Sequence, residues 1–182
     1  IAVPLLVPSN LGSHRSYVEK LRGLLANCAP AAVLGLEDWL PFVREALGNT
    51  AKMFVGPLEQ LSTLPAVEEL PGVFPDDVAY LQYTSGSTRF PRGVIITQRA
   101  VMANLRGIVV DGIGVRAGDR CVSWLPFYHD MGLVGFVLAP MAAQLSVDYL
   151  RTQDFATRPG QWLKLISQTG RSTHHVDIGA CT

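Results

Sequence analysis

An α/β fold, with a mostly parallel sheet flanked by helices, is predicted by three observations on the 182-residue sequence. Short apolar runs alternate along the chain with stretches whose apolar residues recur at helical spacing. Gly, Pro and Asn punctuate the junctions between them. Hydrophobic residues make up 48% and charged residues 16%, so an ordered chain of one domain to one and a half can bury a sizeable core.

Ile1–Val7 is apolar and closed by Pro8, as a buried parallel strand would be. Tyr17, Val18, Leu21, Leu24 and Leu25 then form a helical stripe within 13–27, with Ser13 or Ser16 placed to cap it. A strand over 31–34 follows Pro30, and a helix over 37–47 carries Leu40, Val43 and Leu47 on one face before Gly48-Asn49 stops it. Met53-Phe54-Val55 reads as a third short strand. Strand and helix in alternation imply right-handed βαβ units.

Residues 57–75, rich in proline and acid, read as a surface connection. Strands are expected at 78–83 and 94–97, on either side of a polar loop. A helix over 98–108 would place Val101, Met102, Leu105 and Ile108 on one side, with Gly112 and Gly114 ending it. A strand at 120–124, a helix or buried segment at 132–141 and a strand at 145–150 come next. Pro159 then opens a helix expected over 158–168.

Fifteen basic and fifteen acidic residues balance, with no like-charge block, which argues against a nucleic-acid partner or a membrane-surface patch. Apolar stretches such as 131–143 are too short and too broken by Gly and Pro to span a bilayer. Cys28, Cys121 and Cys181 are odd in number and far apart, so neither a disulfide framework nor a zinc site is expected, and a cytoplasmic setting fits. No signal peptide is evident at the start. His174-His175 lacks further ligands at useful spacing, and no metal site is assigned.

The chemistry concentrates in Tyr83–Val94. Thr84, Ser85, Gly86, Ser87 and Thr88 lie between two strand-like runs, and Arg92 adds fixed charge beyond the stiff Pro91. Hydroxyls and backbone N–H groups of such a loop can turn onto a phosphate, with Gly86 permitting close approach. The same residues also suit an ordinary hairpin loop. A Walker A loop is excluded, because no Gly-Lys-Ser/Thr follows at the required spacing.

Thr84-Ser85-Gly86-Ser87-Thr88 with Pro91-Arg92-Gly93-Val94 resembles the phosphate-binding signature of the adenylate-forming superfamily, which includes acyl-CoA synthetases, fatty acyl-AMP ligases and peptide-synthetase adenylation domains. A second block, Trp124-Leu125-Pro126-Phe127-Tyr128-His129-Asp130-Met131-Gly132-Leu133, is similar to the fatty acyl-AMP ligase branch. The chain departs from the pattern at Arg89, where the family has glycine, and at Arg92, where it has lysine. Arginine keeps the charge but presents a planar fork.

The resemblance implies that the chain is a partial N-terminal domain of the adenylate-forming fold. It spans 1–182, with the phosphate loop at 83–94 and the acyl-site block at 124–133, and it lacks the C-terminal domain that bears the catalytic lysine. ATP and Mg²⁺ are the implied cofactors, a fatty acid the substrate, and an acyl carrier protein or coenzyme A the acceptor.

Thr84, Ser85, Gly86, Ser87, Thr88, Arg92 and Gly93 would hold the phosphates, and His129 would lie beside the acyl carboxylate. Trp124, Phe127, Met131 and Leu133 either line an acyl cavity or form plain core. Asp130 either orients the His129 ring or caps the following helix, the cap being favoured. The rival to an active ligase is an inactive fragment that dimerises through open sheet edges.

Overall fold

The computed structural model describes residues 1–5, 14–48, 53–84 and 92–160. They belong to two compact units, one of residues 5–73 and 83–94, the other of 1–4, 74–82 and 95–182.

The first unit holds α1 (His14–Cys28), β1 (Ala32–Gly35), α2 (Leu40–Leu47) and β2 (Phe54–Pro57). α1 forms where the stripe requires it: Val18, Leu21, Leu24 and Leu25 are all buried. With Val33, Trp39, Leu40, Val43 and Ala46, three of these make one core. β1 and β2 run parallel, Ala32 beside Phe54.

The helix expected over 37–47 divides into a 3₁₀ turn, Glu37–Trp39, and α2. Pro41 sits in the first turn of α2, and its missing N–H prevents an α-helical ladder from running back to Glu37. Arg22 of α1 closes the other end, its guanidinium donating to the carbonyls of Ala46 (3.0 Å) and Glu45 (3.4 Å). Trp39 donates its indole N–H to the Tyr17 hydroxyl, which satisfies the one polar atom of a buried ring.

The connection over 57–75 opens with a 3₁₀ stretch, Leu58–Thr63, and then runs exposed, Leu70 being 88% accessible.

In the second unit, the strand expected at the start is represented by Ala2, which bridges in parallel to Tyr80; residues from 6 onward in that segment lie outside the described ones. Tyr80 belongs to β3 (Val78–Tyr83), the hydrogen-bonded neighbour of β4 (Gly93–Thr97). α3 (Gln98–Arg106) is capped by Thr97, whose hydroxyl accepts from the Ala100 N–H at 3.2 Å. It continues into a π-helical turn, Gly107–Gly112.

Met102, expected on the apolar face of α3, is 61% exposed. It lies one residue from Val101, a quarter-turn round the helix from the Val101–Leu105 line that packs inward. β5 (Arg120–Ser123) and β6 (Ser146–Tyr149) pair in parallel, and the Arg120 and Asp148 side chains meet across them at 3.0 Å.

Between these strands stand a π-helical segment, Met131–Leu138, and α4 (Ala139–Ala143). Tyr80, Leu105, Val134 and Ala139 form the core of this unit. A helix not expected from the sequence, α5 (Thr152–Thr157), follows, whereas the helix expected over 158–168 lies outside the described residues from 161 onward. Among the described residues the strands form three two-stranded sheets, two of them with parallel register.

Candidate functional site

Within the first unit, the ends of the candidate phosphate loop are held together by the Thr84 N–H, which donates to the Arg92 carbonyl at 3.1 Å. Thr84 and Arg92 are both exposed. A side chain at Gly93 would meet the Tyr83 ring at 3.2 Å, so glycine leaves room for that ring to pack. The Tyr83 hydroxyl in turn donates to Asn27 Oδ1 at the end of α1. Ser85, Gly86, Ser87, Thr88 and Arg89 lie outside the described residues.

Beside Tyr83, burial is the main cause pushing the Cys28 thiol up, and a backbone hydrogen bond at Cys28 opposes it. The Tyr83 phenol is raised by burial and then by Cys28. Both groups are therefore held in their neutral forms.

The acyl-site block belongs to the second unit, between β5 and the π-helical segment. Ser123, 1% exposed at the end of β5, turns the chain: its hydroxyl accepts from the Leu125 N–H (3.1 Å) and its carbonyl from the Leu150 N–H (2.8 Å). Pro126 then starts a tight loop in which the His129 N–H donates to the Pro126 carbonyl at 3.1 Å.

The His129 ring is 60% exposed, and its Nδ1 lies 2.6 Å from Asp130 Oδ1. The Met131 N–H also approaches Nδ1, at 3.4 Å, but lies 2.7 Å from the Asp130 oxygen. The shorter pair decides the tautomer. Nδ1 carries the proton and donates to Asp130, Met131 donates to the same carboxylate, and Nε2 has no partner among the described residues. Asp130 thus does both things that the sequence left open: it caps the following helix and orients the ring.

Of the four candidate acyl-site residues, two come together. Trp124 and Phe127 line a cleft of about 180 Å³ with Tyr149, Leu150, Arg151 and Thr152. Trp124 stacks on Phe155 at 3.9 Å, and Phe127 meets Tyr149 edge-on at 5.0 Å. Thr152 ties α5 to the cleft by donating its hydroxyl to the Trp124 carbonyl at 2.7 Å.

Leu133 instead packs on the core of the unit, and Met131 is partly exposed. The cleft is smaller than the roughly 300 Å³ at which pockets for drug-sized ligands begin. The sequence reading passed over Tyr149, Arg151 and Thr152, which come to the cleft only through the parallel pairing of β6 with β5. No local motif marks them.

Among the described residues, no three His, Cys, Asp or Glu side chains group to hold a metal ion, and no helix is long and apolar enough to cross a membrane.

The family model of AMP-binding enzymes matches residues 10–176. A protein of Caulobacter vibrioides named "Putative acyl-CoA synthetase" is 43% identical over 92% of this chain and 29% of its own length. The long-chain-fatty-acid–AMP ligase FadD32 of Mycolicibacterium smegmatis is 37% identical over 92% of this chain and 26% of its own.

Among solved structures, one from work on the fatty acyl-adenylate ligases of E. coli and L. pneumophila superposes with a TM-score of 0.85 at 61% identity, over 92% of this chain and 30% of that one. The chain therefore spans less than a third of the length of these relatives. With the family model covering most of its residues, this chain belongs to the AMP-binding enzyme family of the adenylate-forming superfamily.

Proposed function

We propose that the chain is the phosphate- and acyl-binding part of a ligase that activates a fatty acid with ATP. A fatty carboxylate oxygen attacks the α-phosphorus, the bond to the β-phosphate oxygen breaks, and acyl-AMP and pyrophosphate form. Charge develops on the phosphate oxygens, so positioning and fixed donors carry the catalysis.

Thr84, Ser85, Gly86, Ser87, Thr88 and Gly93 are assigned to the β- and γ-phosphates, and Arg92 neutralises them. Mg²⁺ supplies charge neutralisation to the nucleotide, and no protein step is derived through it. The observation that carries the reading is His129: its ring is exposed, its Nδ1 is committed to Asp130, and its Nε2 has no partner among the described residues. His129 is assigned to a place beside the acyl carboxylate, where it positions the acyl group.

Transfer from acyl-AMP to the phosphopantetheine thiol of an acyl carrier protein is the favoured second step, in line with the 61% identity to a fatty acyl-adenylate ligase. Coenzyme A as acceptor is the second reading, favoured by the acyl-CoA synthetase name of the 43% identical relative. A cytoplasmic setting is proposed with either. The chain alone, at under a third of its relatives' length, is proposed not to complete adenylation. Among the described residues the sheets are two-stranded, and pairing of two copies through sheet edges is proposed as the rival state.

The test is a chimera in which this chain replaces the matching segment of the 61% identical ligase. Fatty-acid-dependent exchange between ATP and pyrophosphate is expected, with at least a tenfold loss in His129→Ala. A folded chimera without exchange contradicts the reading. Offering coenzyme A and a pantetheinylated carrier protein to the loaded chimera separates the two acceptors.

A further inference from the structure

Gln82, the penultimate residue of β3, reaches out of its strand to the acyl-site block. Its Nε2 donates to the Tyr128 carbonyl at 3.0 Å, across 46 residues of sequence. The amide orientation is unambiguous, because the flipped form would set oxygen against oxygen. Its Oε1 is buried and meets no donor among the described residues. Burying an acceptor without a partner costs free energy, so the side chain is held in this pose by the bond its other end makes.

The Tyr128 carbonyl is the peptide oxygen immediately before the His129 N–H, and that N–H is already bonded to Pro126. One peptide plane is therefore fixed on both edges, from inside the loop by Pro126 and from β3 by Gln82. Asp130 holds the ring itself at Nδ1. Tyr80, two residues before Gln82 in the same strand, feels the Asp130 charge as the second cause of its raised phenol, after burial.

We infer that Gln82 is a positioning residue: its amide ties the Tyr128–His129 peptide to β3 and so fixes where the His129 imidazole stands. The functional weight of this tie rests on the role proposed for His129, while its geometry does not.

The experiment is amide hydrogen exchange and histidine-ring ¹H–¹⁵N spectroscopy on the full 182-residue chain. It compares the native protein with Gln82→Met, which keeps the shape without a donor, and Gln82→Glu. In Gln82→Met, the His129 and Leu133 amides are expected to exchange about tenfold faster and the His129 ring signal to move, while the Leu81 amide, bonded to Ala2, keeps its protection.

Gln82→Glu is expected to behave like Gln82→Met at neutral pH, where a carboxylate only accepts. It should recover native protection near pH 4, where the protonated acid donates. A merely structural role would loosen the whole unit in both variants at both pH values, and that result overturns the inference. Native exchange at His129 and Leu133 in Gln82→Met overturns it too.

If Gln82→Met does not fold, the pH-dependent recovery in Gln82→Glu decides alone: recovery supports the tie and its absence refutes it. Failure of the chimera to exchange pyrophosphate, with the recovery present, would remove the role of His129 and leave the tie standing.

Discussion

A Cβ atom at Gly132 would lie 2.2 Å from the Pro126 carbonyl oxygen. That oxygen also accepts the His129 N–H, so the start of the π-helical segment is pressed against the loop that carries the histidine. The obstructing atom is backbone, which cannot swing aside as a side chain can.

Gly132→Ala should therefore destabilise the second unit by about 1–3 kcal/mol, the usual cost of forcing atoms into a packed site. Urea unfolding followed separately in each unit checks this. Trp124 reports on the second unit and Trp39 on the first, and only the Trp124 transition should move.

Tyr17→Phe should cost the first unit about 1–3 kcal/mol, because it leaves the indole N–H of Trp39 without its acceptor in a ring only 6% exposed. The readout is the Trp39 unfolding midpoint. No change would mean that water replaces the hydroxyl.

Stability should fall at alkaline pH. Tyr17, Tyr80, Tyr83 and Tyr149 are all raised above the ordinary 10.0, and Cys28 and Cys121 above 9.0, burial being the largest cause in each. A group raised in the folded state loses its proton first in the unfolded chain, so the unfolded state binds fewer protons and unfolding becomes easier as pH rises. The stability these groups confer is intact below about pH 9. It should decline from there as the thiols and then the phenols of the unfolded chain ionise. Melting temperatures measured from pH 7 to 11 should show the loss, and a flat profile would contradict it.

The sequence made the local structure legible wherever one face had to be apolar. α1 and β3 appear where Val18 to Leu25 and Val78 to Tyr83 set them. Pro41 was the visible sign that the helix over 37–47 would divide, yet the helical stripe alone did not disclose it.

Three kinds of feature were hidden. Met102 lay one position outside the buried line, which a short amphipathic stretch does not resolve. The width of the π-helical segments depends on carbonyl choice rather than on residue type. Gln82 with Tyr128, and Trp124 with Thr152, are partners made by tertiary pairing, so no spacing along the chain announces them. In the site, the residue types of His129 and Asp130 were legible, whereas the ring tautomer needed the geometry.

Calorimetric titration of the chain with ATP and Mg²⁺, beside Arg92→Ala and Arg89→Gly, asks whether the 83–94 loop holds phosphate. Binding is expected, and Arg92→Ala should weaken it about tenfold, the loss that follows when one charged donor to phosphate is removed. Arg89→Gly should bind at least as tightly as the native chain. Binding indifferent to Arg92→Ala, or no binding in any of the three, would contradict a phosphate site in this loop.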